Sequence, residues 1–187
     1  NVTTGEVSLN DWLMKLDNNS NIRNFYPSLP VEYQLNSFPN DPYFEYQWHL
    51  VSTGQDIGNP DHLPVYAEWG NDINVFPAWD SYTGTGIQIA ILDTGIQYTH
   101  PDLEAHYNTE LDYDYVGLDS DPRPSDMLGE LHATAVAGVA AGVGNNGIGI
   151  AGVAYDAEIV GIRLLSSFGS ALFEDMYDAL RHEGNII

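Results

Sequence analysis

The feature that most constrains this chain is a pair of short, β-rich apolar runs flanking a stretch of small residues. Ile87-Gln88-Ile89-Ala90-Ile91-Leu92 follows Gly84 and Gly86 and reads as a buried strand. Ala157-Glu158-Ile159-Val160-Gly161-Ile162-Arg163-Leu164-Leu165 reads as a second one. Between them, residues 132–142 read as a helix, and Ala133, Ala137, Ala140 and Ala141 would let it pack very close to a neighbour. A further helix is predicted over 170–183. Ser170 caps it, Leu172, Met176, Ala179 and Leu180 form one face, and Gly184 ends it. Asn185-Ile186-Ile187 then opens another apolar strand. This alternation predicts an α/β fold, a parallel β-sheet with helices on both faces, present as the N-terminal portion of a larger domain.

The remaining stretches read as connections. Residues 1–39 carry one short amphipathic stretch, an Asn-rich break and three prolines, and read as a leader separate from 40–187. Residues 52–75 are a Gly- and Pro-punctuated loop. Residues 104–131 form a second loop carrying Asp112, Asp114, Asp119, Asp121, Asp126 and Glu130. The formal net charge is -22, from five Lys+Arg against 27 Asp+Glu. So few cations exclude nucleic acid as a partner, since phosphate binding relies on cationic side chains to displace counterions. No Cys is present, which excludes disulfides, thiolate metal sites and a thiol nucleophile. No apolar run approaches the ~20 residues that span a bilayer.

Two residues stand where chemistry is placed in such folds. Asp93, in Leu92-Asp93-Thr94-Gly95, ends a buried strand, where parallel sheets present reactive groups. His132 begins the small-residue helix, and a neutral imidazole there can serve as a general base oriented by a carboxylate. Each alone has an ordinary structural explanation, a turn-starting Asp and a role-free His. Together with His100-Pro101-Asp102-Leu103 and His132-Ala133-Thr134-Ala135-Val136-Ala137-Gly138, they resemble the subtilisin-like serine proteases. The resemblance is closest to the kexin and furin branch. Residues 40–50, Asn145-Asn146-Gly147 and residues 152–157 carry it further along the chain.

That resemblance implies a serine endopeptidase acting on polypeptides, with Asp93 holding the imidazole of His132 and His132 taking a proton from a serine. Ser166, Ser167 and Ser170 do not sit in the family's Gly-Thr-Ser turn, so the serine is expected on a C-terminal remainder or a second chain. The resemblance also implies Ca²⁺ held by Asp41, Asp102, the Asn146 side chain and the carbonyls of Val143, Ile148 and Ile150. A second calcium site would use Asp114, Asp119 and Asp121. Ca²⁺ takes oxygen ligands of these kinds. A secreted or periplasmic location, and a propeptide origin for residues 1–39, are implied in the same way. The chain departs from the family at Ala133, where Gly follows the histidine, and at Thr94, where the branch has a second Asp. Gly129-Glu130-Leu131 also lacks the branch's run of acids before the histidine, and the preference for dibasic sites rests on such positions. Two alternatives remain open: an inactive calcium-binding fragment, and an aspartic protease using Asp93 in its Asp-Thr-Gly.

Overall fold

Apolar side chains occupy both faces of the sheet strands, so the sheet must be covered on both sides. The computed structural model describes residues 38–58, 63–125, 130–166, 169–170 and 173–181. Along the chain come α1 (Phe76–Trp79), β1 (Gln88–Asp93), β2 (Tyr113–Asp114), α2 (His132–Ala141), β3 (Glu158–Arg163), β4 (Leu165–Ser166), β5 (Gly169–Ser170) and α3 (Phe173–Ala179). Single 3-10 turns lie at Phe44–Tyr46 and Glu104–His106.

The sheet has the order β1-β3-β2 and is wholly parallel. Strand β1 pairs with β3 from Gln88↔Glu158 to Asp93↔Arg163, and β2 pairs Tyr113↔Ile162 and Asp114↔Arg163. The three strands therefore end level, with Asp93, Arg163 and Asp114 side by side at the carboxyl edge.

One face is covered by α2. Ala133, Ala137 and Ala141 recur every four residues, are fully buried, and pack with Ile91, Ile159, Ile96 and Leu103. Small side chains let the helix axis lie close to the sheet, which is the packing the sequence predicts. On the other face, Val160, Ile162 and Leu164 pack with Ala179, and Met176 leans on that cluster. Helices thus lie on both faces. A separate aromatic cluster joins Phe44, Leu50, Val51, Val75, Trp79 and Ala151. There the Trp79 indole N–H donates to the Val153 carbonyl at 2.8 Å.

Three expectations need correction. Ser170 does not cap a helix: it belongs to β5, and Leu165↔Ser170 and Ser166↔Gly169 form an antiparallel hairpin. Two residues separate the paired ends, the length that hairpins favour, so the second apolar run splits between β3 and β4. Helix α3 runs Phe173–Ala179, and Leu180 is 77% exposed because it lies beyond the helix end, off the packed face. The 104–131 loop contains β2, which the sequence hides because two residues have no readable period. The 52–75 loop is free of helix and strand among its described residues, with an isolated bridge Asp56↔Tyr66. Residues 1–37 of the predicted leader and the strand opening at 185–187 lie outside the described residues.

Candidate active site

Asp93 is the last residue of β1, where the sheet's carboxyl edge presents it. Its carboxylate makes two short hydrogen bonds. Oδ1 accepts from the Thr94 N–H at 2.6 Å, and Oδ2 lies 2.6 Å from His132 Nδ1. The Asp93 side chain is 14% exposed and the imidazole 72% exposed, so the pair runs from the sheet edge out to solvent. A carboxylate accepts only, so Nδ1 carries the proton in the neutral ring and Nε2 keeps its lone pair for another group.

Two contacts set the approach of helix and strand. The turn after Asp93 uses Gly95 at φ +99°, where a Cβ would stand 2.5 Å from the Pro122 carbonyl oxygen and 3.0 Å from Arg163 Cδ. Only glycine adopts that conformation in that space without strain. Leu131, the residue before α2, supplies no side-chain cap. The hydroxyl of Thr94 accepts from the Ala133 N–H at 3.4 Å instead, and that of Thr134 accepts from the Gln97 N–H at 3.0 Å. One of the free N–H groups in the helix's first turn is thus met from the strand side, next to His132. Ala133, where the family has Gly, is accommodated as a fully buried core residue.

Of the first expected calcium ligand set, Asp41, Asp102 and Asn146 lie together at one loop. Asp41 and Asp102, far apart in sequence, are 4% and 3% exposed. Asp41 accepts from the Asn145 and Asn146 N–H groups at 2.8 and 3.3 Å. Asp102 accepts from Asn146 Nδ2 at 2.8 Å and from the Ile150 N–H at 2.9 Å. Asn146 Oδ1 accepts from the Ile148 N–H at 2.7 Å, and the Val143 N–H donates to the Asp102 carbonyl at 2.9 Å. At Gly149, φ +53°, a Cβ would collide with the Asp102 carboxylate. Two buried anions folded against a glycine loop, held by neutral N–H donors, fit a hard oxygen-ligated cation. Behind this loop Gln47, buried, donates to the Ala151 carbonyl at 2.8 Å and accepts its N–H at 2.9 Å. Gln47 was not singled out from the sequence, where one Gln in a loop carries no signal.

The second acidic cluster is only partly assembled. Asp114 and Asp119 flank Gly117, but Asp114 is committed to Arg163 at 2.9 Å. Asp121 turns to Arg123 at 2.7 Å and accepts from the Tyr98 hydroxyl at 3.2 Å. Hydrogen bonds from Arg123 hold the Asp121 carboxyl below its ordinary value, against the opposing effect of desolvation. Among the described residues, no group of three or more His, Cys, Asp or Glu side chains converges on a common point. The charge repulsion that suggested a cation is relieved here by two arginines.

Beside the site lie Glu130, which the sequence places in the acidic loop before the histidine, and Arg163, to which the sequence assigns no role. The available signal was Arg163 itself, one of few cations, closing an apolar strand.

The sequence model of the subtilase family matches residues 84–185, more than half of the chain, and the chain belongs to this family. Among curated relatives, PC3-like endoprotease variant B of Hydra vulgaris is 46% identical over 129 residues, covering 68% of this chain and 17% of that protein. Neuroendocrine convertase 2 of Homo sapiens is 43% identical over 129 residues, covering 67% of this chain and 19% of that protein. These relatives bear out the resemblance to the kexin and furin branch. Of solved structures, the serine protease of Aeromonas sobria superposes with a TM-score of 0.69 at 30% identity, covering 79% of this chain and 24% of that one. Proteases from Pseudoalteromonas arctica give a TM-score of 0.58 at 34% identity, covering 76% and 43%. The chain spans less than a fifth of the length of the two curated relatives. Family membership and a parallel sheet set aside the aspartic-protease alternative for Asp93. Among the described residues, no helix is long and apolar enough to cross a membrane.

Proposed function

We propose that this chain supplies the Asp and His of a serine endopeptidase triad, Asp93 and His132, within a calcium-dependent, kexin-like protease that cleaves polypeptides. The observation that carries the reading is the 2.6 Å contact between Asp93 Oδ2 and His132 Nδ1. With Nδ1 engaged, Nε2 takes the proton of a serine hydroxyl as the oxygen attacks the scissile carbonyl. The same nitrogen then returns the proton to the leaving amine. Asp93 stabilises the transient imidazolium and fixes its orientation.

The serine lies outside residues 1–187 in this reading, on a C-terminal remainder or a second chain. Residues 40–187 are the N-terminal portion of the catalytic domain, and residues 1–39 a leader or propeptide tail. In this reading the protein is secreted or periplasmic. Asp41, Asp102 and Asn146, with the carbonyls of Val143, Ile148 and Ile150, hold Ca²⁺. The ion neutralises two buried carboxylates and fixes the loop against the start of the domain. The strongly acidic composition favours basic peptide substrates.

Fluorophosphonate treatment of the intact protein, followed by peptide mapping, tests the assignment. The expected adduct lies on a serine outside residues 1–187 and is lost in His132→Ala. An adduct on Ser166 or Ser170, or peptide hydrolysis without any adduct, overturns it.

A further inference from the structure

Arg163 is the last residue of the central strand and is in register with Asp93 on one side and Asp114 on the other. In-register residues of parallel strands point to the same face, so Arg163 and Asp93 both project to the face covered by α2. Its Nη1 bonds Asp114 Oδ2 at 2.9 Å and its Nη2 bonds Glu130 Oε2 at 3.3 Å. The three side chains are 13%, 4% and 2% exposed. Glu130 Oε2 also accepts from the Ser125 N–H at 3.1 Å.

Burying two carboxylates around one guanidinium is an expensive way to stabilise a fold, because desolvation offsets most of the attraction. Arg163 Nε is, in addition, buried without a hydrogen-bond partner. The network's location gives it another use. Glu130 stands two residues before His132, and the helix start between them has no side-chain cap of its own. The His132 ring is mostly exposed, so little packing holds it. On its other side Arg163 Cδ stands 3.0 Å from where a Cβ on Gly95 would lie, and the Leu164 N–H donates to the Asp93 carbonyl at 2.9 Å. The Arg163 side chain therefore runs beside the turn that follows Asp93 and ends in a guanidinium that holds Glu130, two residues before His132.

We propose that Arg163 and Glu130 are positioning residues, a buried clamp, with Asp114 as its counterweight, that sets the separation and orientation of the Asp93–His132 pair. The proposal rests on the triad reading above. Neither residue touches substrate; both act through the pair.

The test uses the intact protease with Glu130→Gln, which keeps the side chain's shape, and Arg163→Lys, which keeps the charge but not the fork. Active sites are titrated with fluorophosphonate so that kcat refers to folded, competent molecules. Both variants should lose between tenfold and about a hundredfold in kcat per titrated site with KM little changed, as expected for small misplacements of catalytic groups. The His132 Nδ1 proton resonance should move away from its wild-type position. Wild-type kcat per titrated site in both variants overturns the clamp, as does a lower melting temperature with kcat per site unchanged. If the wild-type protein neither labels nor cleaves peptides, the triad reading has failed. The His132 resonance still decides the clamp in that case, and an unchanged resonance in both variants overturns it.

Discussion

In the proposed triad, the chemistry turns on which atom of Asp93 faces which atom of His132. With Nδ1 held against a carboxylate, that reading has the ring accept a proton at Nε2, the nitrogen left to meet a serine. Asp93→Asn presents an amide N–H to Nδ1 and selects the opposite tautomer. In the intact enzyme, kcat should fall by roughly four orders of magnitude while the circular dichroism spectrum stays that of the wild type. Rates near wild type would remove Asp93 from the triad. At this scale the positions of Asp93 and His132 are legible, because one ends an apolar β-rich run and the other begins a run of small residues. The partners of Arg163 are not. Five cations and 27 acids permit many pairings, and only the register of β1, β2 and β3 selects Asp114 and Glu130 as its partners.

Among the elements, α2 shows the clearest link between residue size and placement. Its buried stripe of Ala133, Ala137 and Ala141 brings the helix against Ile91 and Ile159, and that closeness carries His132 to the end of β1. Ala137→Leu inserts a branched side chain where no space exists and should destabilise the fold by about 1–3 kcal/mol, measured by urea unfolding. A change within a few tenths of a kcal/mol would mean the helix is less tightly seated than its burial indicates. The strands and α2 were readable because period and residue size both point one way. The 165–170 segment was not: its Ser and Gly residues suit a helix cap as well as a hairpin. The pairing of Leu165 with Ser170, a tertiary outcome of where β3 ends, decides between them.

For the molecule as a whole, the proposed calcium and pH are two levers on stability. The proposed cation at Asp41, Asp102 and Asn146 would bind only the folded state. At a hundredfold excess over its Kd it adds about 2.7 kcal/mol, or roughly 5–10 °C in Tm for a domain of this size. A chelator should therefore lower Tm by that amount, and Asp41→Asn should abolish the shift. A melting curve indifferent to chelator and to added calcium would remove the metal. At high pH a different group takes over. Burial, then the nearby Asp112 carboxylate, push the Tyr107 hydroxyl well above its ordinary value near 10. The folded state keeps that proton where the unfolded state releases it, so stability held below pH 10 is lost progressively as pH rises past it. Tyr107→Phe should flatten this alkaline slope, read from denaturation midpoints between pH 9 and pH 11. An unchanged slope would place the sensitivity on other tyrosines.

By itself the sequence determined the local events: two buried strands, a small-residue helix, a glycine turn after Asp93, and a composition hostile to nucleic acid. These follow from side-chain period, size and charge, which act over a few residues. Motif order along the chain added the family. The tertiary structure decided which of the acids meet. Asp41 and Asp102 meet at Asn146 across the chain, Asp114 is drawn from its sequence neighbours to Arg163, and Glu130 meets the same arginine two residues before His132. Opposite charges attract without regard to sequence distance. The pairings are therefore fixed only once the sheet register has brought the strand ends level.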